Sequence, residues 1–130
     1  MTTLVKISGA SLPEKAAPDS YDITPVLMSE NYSSPLREAT IHNTYANTWG
    51  IRKGKWLYIN DSTGGHRKLP ESFKTLKGYN DFETEGLLFD MDKDVEQRVN
   101  LFNDLPDKVE ELKNLLEQYR TSERTALMNK

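Results

Sequence analysis

Four prolines constrain what the first third of the chain can fold into. They divide residues 11–35 into short pieces, at positions Pro13, Pro18, Pro25 and Pro35. Proline lacks a backbone N–H donor and clashes with the preceding helical turn, so this spacing predicts that the segment contains no helix. A stretch this long without secondary structure is uncommon inside a compact domain. We therefore expect residues 1–36 to form an extended arm that lies across another surface.

A different pattern follows from residue 37 onward. Short runs rich in Ile, Thr, Tyr, Trp and Leu, separated by turn residues, predict about four strands at residues 38–43, 49–53, 55–60 and 86–91. The pair Lys53-Gly54 predicts a tight antiparallel hairpin, because glycine accepts the positive φ of such turns. Alternation places Trp49 and Ile51 on one face of the sheet and Arg52 on the other. Residues 61–84 are predicted to be a polar loop.

One long helix is predicted after the four strands. Pro106 is suited to the first helical position, and apolar residues then recur at helical spacing through about Thr121: Val109, Leu112, Leu115, Leu116 and Tyr119. Residues 2–9 are predicted to be the end of another helix. The fold class is therefore α+β: a small antiparallel sheet of about four strands, packed by one long C-terminal helix, with an extended N-terminal arm.

Composition excludes several classes of protein. The chain has 130 residues, the length of one domain, and a net charge of −3, so we expect no nucleic-acid partner. The sequence has no apolar run of membrane-spanning length, so we expect no membrane partner. It has 0 cysteines, which removes disulfides, thiolate metal sites and cysteine nucleophiles together.

The charge is unevenly distributed along the chain. Residues 37–77 carry 8 basic side chains against 3 acidic ones: Arg37, Arg52, Lys53, Lys55, Arg67, Lys68, Lys74 and Lys77, with Glu38, Asp61 and Glu71. A cationic middle in an acidic chain is typical of a protein that binds an anionic ligand. A solvated sheet surface with ordinary lysines would give the same pattern.

Two motifs resemble catalytic or metal-binding sequences. Asp90-Met-Asp92-Lys-Asp94 begins like a calcium loop, but Val95 stands where that loop needs glycine and Leu101 where it needs the closing glutamate. We therefore expect an acidic turn there. Ser33-Ser-Pro-Leu-Arg37 has the form S-x-P-x-R of a sulfatase nucleophile, but a strand-like run follows it where that motif needs a helix. We interpret it as a turn.

Neither of the two histidines is a predicted metal ligand. His42 and His66 have no second His, Asp or Glu at metal-ligand spacing. The sequence also lacks the G-x-S-x-G, P-loop and G-x-G-x-x-G motifs. We predict no catalytic residue and no metal ligand in this chain, and therefore no enzymatic activity of the chain alone.

Several segments in order resemble the C-terminal subdomain of arylsulfatase-type sulfatases, in the alkaline-phosphatase superfamily. TLVKISGASLPEKAAPDSYDITPVLMSE is similar to the passage that leads out of the catalytic domain. REATIHN and WGIRKGKWLYI are similar to the family's strand pair, and LLFDMDKDVEQRVNL to its acidic segment. The resemblance implies that residues 1–36 are an arm from the end of the catalytic domain and residues 37–130 the C-terminal subdomain. Leu57 and Val95 depart from the family's usual lysine and proline.

The resemblance also implies partners and cofactors. The missing N-terminal catalytic domain would carry the formylglycine nucleophile and the calcium ion of the parent sulfatase. Its substrate would be a sulfated sugar, and the parent would be exported to the periplasm or secreted. The chain would be non-catalytic, would pack beside the active site and would help to set specificity.

Three residues are candidates for substrate binding. His42 matches the family's histidine at the end of the first strand, and Asn43 lies beside it. On chemical grounds, His42 can donate a hydrogen bond to a sugar hydroxyl or sulfate oxygen, and Arg52 offers a planar donor fork to an oxyanion. Alternatively, His42 pins the loop and Arg52 pairs with a carboxylate. Trp49 and Trp56 are interpreted as core residues, with stacking on a sugar ring as the alternative.

Two other functions remain open at this stage. The chain could be a stand-alone binding module for an acidic glycan, which would use the cationic middle. It could instead be an interaction domain without a ligand, whose arm binds a protein partner. Apolar surface left open by an absent catalytic domain would favour a dimer of the isolated chain.

Overall fold

A computed structural model describes residues 1–43, 47–62 and 69–126. The elements in chain order are α1 (Thr2–Ile7), α2 (Thr24–Leu27), β1 (Thr40–Asn43), β2 (Trp49–Lys53), β3 (Trp56–Ile59), α3 (Glu71–Lys77), β4 (Leu87–Asp90) and α4 (Pro106–Thr121). In these residues we find no helix that is long and apolar enough to cross a membrane. The predicted α+β class is confirmed.

The strands form one antiparallel sheet in the order β1-β2-β3-β4. The predicted hairpin joins β2 to β3, with Lys53 opposite Trp56. Gly54 has a φ of 57°, a conformation that side chains with a Cβ rarely adopt. Each strand lies within or at the edge of the run that the sequence indicated.

The face of the sheet that carries Ile51 packs against α4. Ile51, Tyr58 and Leu88 lie side by side in register, and all three are buried. An ion pair between Lys53 and Glu111, with a nitrogen–oxygen distance of 3.3 Å, places α4 over this face. The buried residues of α4 are Val109, Leu112 and Leu116. The apolar spacing read from the sequence is thus the spacing that faces the sheet.

The outer edge of β4 is closed by a side chain and a loop. Asn100 accepts a hydrogen bond from the backbone N–H of Leu88 at 2.9 Å. Leu101 donates its N–H to the carbonyl of Leu88 at 2.8 Å. The amide group of Asn100 also donates to the hydroxyl of Thr84 at 2.8 Å. Both outward backbone groups of Leu88 are therefore satisfied without a fifth strand.

Two helices were not expected from the sequence. The prediction that no helix lies within residues 11–35 is wrong, because Pro25 occupies the first turn of α2, where its missing N–H is not needed. The prediction of a loop over residues 61–84 is wrong for α3, which follows Pro70 and ends at Gly78 with a φ of 66°. Residues 63–68 of that predicted loop lie outside the described residues.

The chain divides into two compact units, Met1–Glu38 with Tyr119–Lys130, and Ala39–Gln118. In the first unit, Tyr21 donates its hydroxyl to the carbonyl of Thr125, and the N–H of Ala126 donates to the carbonyl of Pro18 at 3.1 Å. The arm is therefore not simply extended, because its own residues pack with the chain that follows α4. The division into residues 1–36 and 37–130 stays a prediction.

Acid should weaken the first unit through Asp22. Its carboxylate accepts a hydrogen bond from Lys6 at 2.6 Å and others from Thr24, which together lower the pKa of Asp22 to about 2. A lowered pKa stabilises the fold above the unfolded value, about 3.8, and this stability is lost as the pH falls toward 2. We expect Asp22→Ala to be less stable than the wild type at pH ~5 and equally stable near pH ~2. Urea titrations of both proteins across this range measure the difference, and a constant gap would contradict it.

Candidate functional site

The candidate site lies at the end of the sheet where β1 finishes and β2 begins. His42 and Asn43 are the last two residues of β1, and Asn43 pairs with Trp49 at the start of β2. Both side chains are exposed. Residues 44–46 of the connecting loop lie outside the described residues. β3 ends and β4 begins at the same end of the sheet, since Ile59 pairs with Leu87.

The register decides which candidate residues share a face. His42 lies opposite Gly50, and Arg52 lies opposite Thr40. His42 and Arg52 are therefore diagonal neighbours on one face, about 7–8 Å apart at the backbone. This is the face opposite Ile51, so the helix-covered core does not bury them. Asn43 is one residue further along β1 and lies on the other face.

Arg52 is directed toward the hairpin turn. Its Nε donates a hydrogen bond to the carbonyl of Gly54 at 3.2 Å. The guanidinium is therefore drawn away from His42, although both side chains lie on the same face. The structure brings these two candidates together on the sheet but not into direct contact.

Several lysines of the cationic middle are already paired with carboxylates. Lys55 donates to Asp90 at 2.7 Å, and Lys53 pairs with Glu111. Lys74 is buried and contacts Glu71 at 2.9 Å and Asp81 at 2.8 Å. The hydrogen bond with Asp81, then that with Glu71, raises the pKa of Lys74, and the bond with Lys55 lowers that of Asp90. These charges stabilise the fold and leave less positive charge free for an anionic ligand.

The two tryptophans are held within the protein. Trp49 donates its indole N–H to the side-chain oxygen of Asn47 at 2.8 Å. The ammonium of Lys55 lies 4.7 Å from the ring centre of Trp56. Both rings are half-buried, which fits the core interpretation better than an open stacking platform.

A set of hydrogen bonds at this end of the sheet was not foreseen. The N–H of Trp49 donates to the side chain of Asn60 at 2.7 Å, and the N–H of Asn60 donates back to the carbonyl of Trp49 at 2.9 Å. The hydroxyl of Thr48 donates to Asp61 at 2.7 Å. From the sequence alone, the pair Asn60-Asp61 after a strand predicts a turn but not these hydrogen bonds.

The acidic segment forms a structural turn. Asp90 accepts bonds from Lys55 and from the N–H of Asp92, and Asp94 accepts from the N–H groups of Arg98 and Val99 at 2.9 and 2.8 Å. Within residues 1–43, 47–62 and 69–126, no group of three or more His, Cys, Asp or Glu could hold a metal.

The segment that resembles a sulfatase nucleophile motif, residues 33–37, is not followed by a helix. Bends follow Ser33, and the guanidinium carbon of Arg37 lies 4.6 Å from the ring centre of Tyr21. The calcium ion and formylglycine that the family implies therefore do not fit the residues described.

Comparison with known proteins identifies the relatives of this chain. No family model matches it. The chain is 34% identical over 110 residues to an N-acetylgalactosamine-6-O-sulfatase of Bacteroides thetaiotaomicron, which covers 85% of this chain and 20% of that protein. It is a relative of the sulfatases. This confirms the resemblance to the C-terminal subdomain of arylsulfatase-type sulfatases.

Two solved structures resemble this chain. One structure, described under the metabolism of multiple glycosaminoglycans by Bacteroides thetaiotaomicron, has a TM-score of 0.68 and 29% identity, and covers 93% of this chain and 24% of its own. A second, solved with its substrate D-glucosamine-2-N,6-O-disulfate, has a TM-score of 0.59 and 20% identity, with coverages of 91% and 22%, and shows the fold alone. The chain thus spans about a fifth to a quarter of these relatives.

Proposed function

We propose that this chain is the non-catalytic C-terminal subdomain of a larger sulfatase, a sulfuric ester hydrolase, and that it helps to select a sulfated glycan. The observation that carries this proposal is the 34% identity to an N-acetylgalactosamine-6-O-sulfatase across most of the chain. The substrate class is therefore a sugar with a 6-O-sulfate. The longer protein would supply the formylglycine and the calcium ion in its N-terminal catalytic domain and would be exported.

Exposed apolar side chains support packing against that catalytic domain. They are concentrated on α1 and α2: Met1, Leu4, Ile7, Ile23, Val26, Leu27 and Met28. Leu4 and Met28 are 70% and 81% exposed. Large apolar side chains that are exposed near one another are typical of an interface. A concentration-dependent sedimentation coefficient of the isolated chain would instead assign this surface to a second copy, as in the predicted dimer.

His42 is the residue to which we assign substrate contact. Its imidazole is exposed at the end of β1, beside a loop, where a ring N–H can donate to a sulfate oxygen or a sugar hydroxyl. Arg52 on the same face can donate its remaining guanidinium N–H groups to an oxyanion. Asn43 lies on the other face of the sheet from His42 and Arg52.

We expect His42→Ala in the longer protein to lower kcat/KM for N-acetylgalactosamine 6-sulfate by up to about tenfold, the loss of one hydrogen bond to the sugar. An aryl sulfate lacks the sugar hydroxyls, so a contact between His42 and the sugar predicts that this substrate is cleaved within about twofold of the wild-type rate. The control is Lys113→Ala on the exposed side of α4. Equal losses for both substrates would contradict the role in specificity.

The stand-alone glycan module is the second candidate, and the lysine pairs argue against it. A module of that kind binds through free surface charge, whereas Lys53, Lys55 and Lys74 are each engaged by carboxylates. Its test is calorimetry of the isolated chain with a sulfated oligosaccharide at low salt. Binding that weakens steeply as salt rises would favour the module over the subdomain.

A further inference from the structure

We propose that Asp61 and Asn60 are positioning residues for substrate recognition: they hold the start of β2, which pairs with the end of β1, and so position His42. The inference rests on the proposed function, since it concerns the same end of the sheet. It assigns to the start of the segment after β3 a role that the sequence did not reveal.

The first step is the contact between β3's end and β2's start. Asn60 bonds Trp49 twice, through its side-chain oxygen at 2.7 Å and its backbone N–H at 2.9 Å. Asn60 therefore continues the β2–β3 pairing by one residue beyond Ile59 opposite Gly50. Two bonds on one residue fix both the position and the direction of the chain at Trp49.

The second step extends this hold into the loop itself. Thr48 is the residue before β2, and its hydroxyl donates to the carboxylate of Asp61 at 2.7 Å. Asn47 next to it has a φ of 58°, so the backbone turns sharply there, and its side chain accepts from the Trp49 indole. The last part of the loop is thus tied to β3's end and to the ring of Trp49.

The third step connects this hold to His42. Asn43 pairs with Trp49, so the loop leaves β1 directly after His42 and Asn43 and returns at the residues that Asn60 and Asp61 bind. Asn60 and Asp61 therefore hold the part of β2 against which Asn43, the neighbour of His42, is paired. Loss of the Thr48–Asp61 bond would loosen the start of β2 and so the position of the end of β1, without removing His42.

The test compares Thr48→Val with Thr48→Ser in the longer sulfatase. Valine keeps the shape but loses the hydroxyl, whereas serine keeps the donor. We expect Thr48→Val to raise KM for N-acetylgalactosamine 6-sulfate about fivefold with little change in kcat, and Thr48→Ser to restore it. KM for an aryl sulfate should stay unchanged in both. Asp61→Asn, which keeps one acceptor oxygen, should lie between the wild type and Asp61→Ala.

Thr84→Val is the matched control. Thr84 also donates its hydroxyl within the second unit, to the carbonyl of Gly86 at 2.6 Å, but it belongs to the β4 side of the sheet. The Thr84→Val variant should be less stable than the wild type, but its KM for either substrate should not change.

If Thr84→Val shifts the KM for the sugar as Thr48→Val does, the role of Thr48 is merely structural and the inference fails. If His42→Ala changes the sugar KM and Thr48→Val does not, the inference also fails while the proposed function stands. If His42→Ala has no effect, the proposed function falls and the inference with it.

Discussion

Leu112→Ala is expected to lower the free energy of unfolding by about 3 kcal/mol, within the range for fully buried leucines. Leu112 is 0% exposed and is one of the buried residues in the middle of α4. Truncation removes apolar contacts and leaves a cavity that a helix anchored by the Lys53–Glu111 pair cannot easily close. Urea denaturation followed by circular dichroism measures the loss.

The control for this prediction is Asn114→Ala on the same helix. Asn114 is exposed, so its replacement should change stability by less than about 0.5 kcal/mol. If Leu112→Ala were equally mild, α4 would not be packed on the sheet in solution. That result would contradict the assignment of the core face.

Gly86→Ala is expected to destabilise the protein by about 2–3 kcal/mol, the cost of overpacking a closed site. An added Cβ would lie 2.8 Å from the carbonyl oxygen of Ile59 and 2.7 Å from a ring carbon of Phe102. The ring can move, but the carbonyl belongs to the strand that pairs with β4. The strain therefore falls on the β3–β4 pairing and should appear as a lower urea midpoint.

Gly50→Ala is the matched control, because Gly50 is also a buried glycine of the sheet region. A Cβ there would meet the carbonyl oxygen of Tyr58 at 3.4 Å and side-chain carbons of Ile59 and Leu57 at 3.6 and 3.8 Å, which is ordinary contact. We expect unchanged or slightly higher stability, since alanine restricts the unfolded chain. The double variant Gly86→Ala, Phe102→Ala should stay destabilised, because the Ile59 carbonyl remains in place.

The regular core was predictable because its information is local. Alternation in β2 and β3 and the apolar spacing of α4 each give a periodic signal that burial reinforces. α3 gives no such signal: Phe73 and Leu76 are exposed, and its buried residue is a lysine. Lys74 is stabilised by Asp81, which lies outside the helix, and that pairing cannot be read from helical periodicity.

The candidate site was predictable only in part. His42 and Arg52 share a face because strand alternation and antiparallel register require it, and Asn43 is excluded from that face for the same reason. The side chains of Asn60 and Asp61 accept hydrogen bonds from residues that lie 11 and 13 positions earlier in the chain. Such pairings are set by tertiary geometry, and the composition of a turn does not encode them.

The closure of β4 by Asn100 and Leu101 also affects how copies of this chain meet. A sheet with an open, flat edge invites strands from other molecules and is a common origin of aggregation. Here the outward N–H and carbonyl groups of Leu88 in β4 are already bonded, so a strand from another molecule cannot pair with them, which leaves β1 as the other edge strand of the sheet. That strand is four residues long and ends in the polar pair His42 and Asn43. We expect a substitution that lengthens β1 or makes it more apolar to favour aggregation through that edge, beside the proposed contact residue His42.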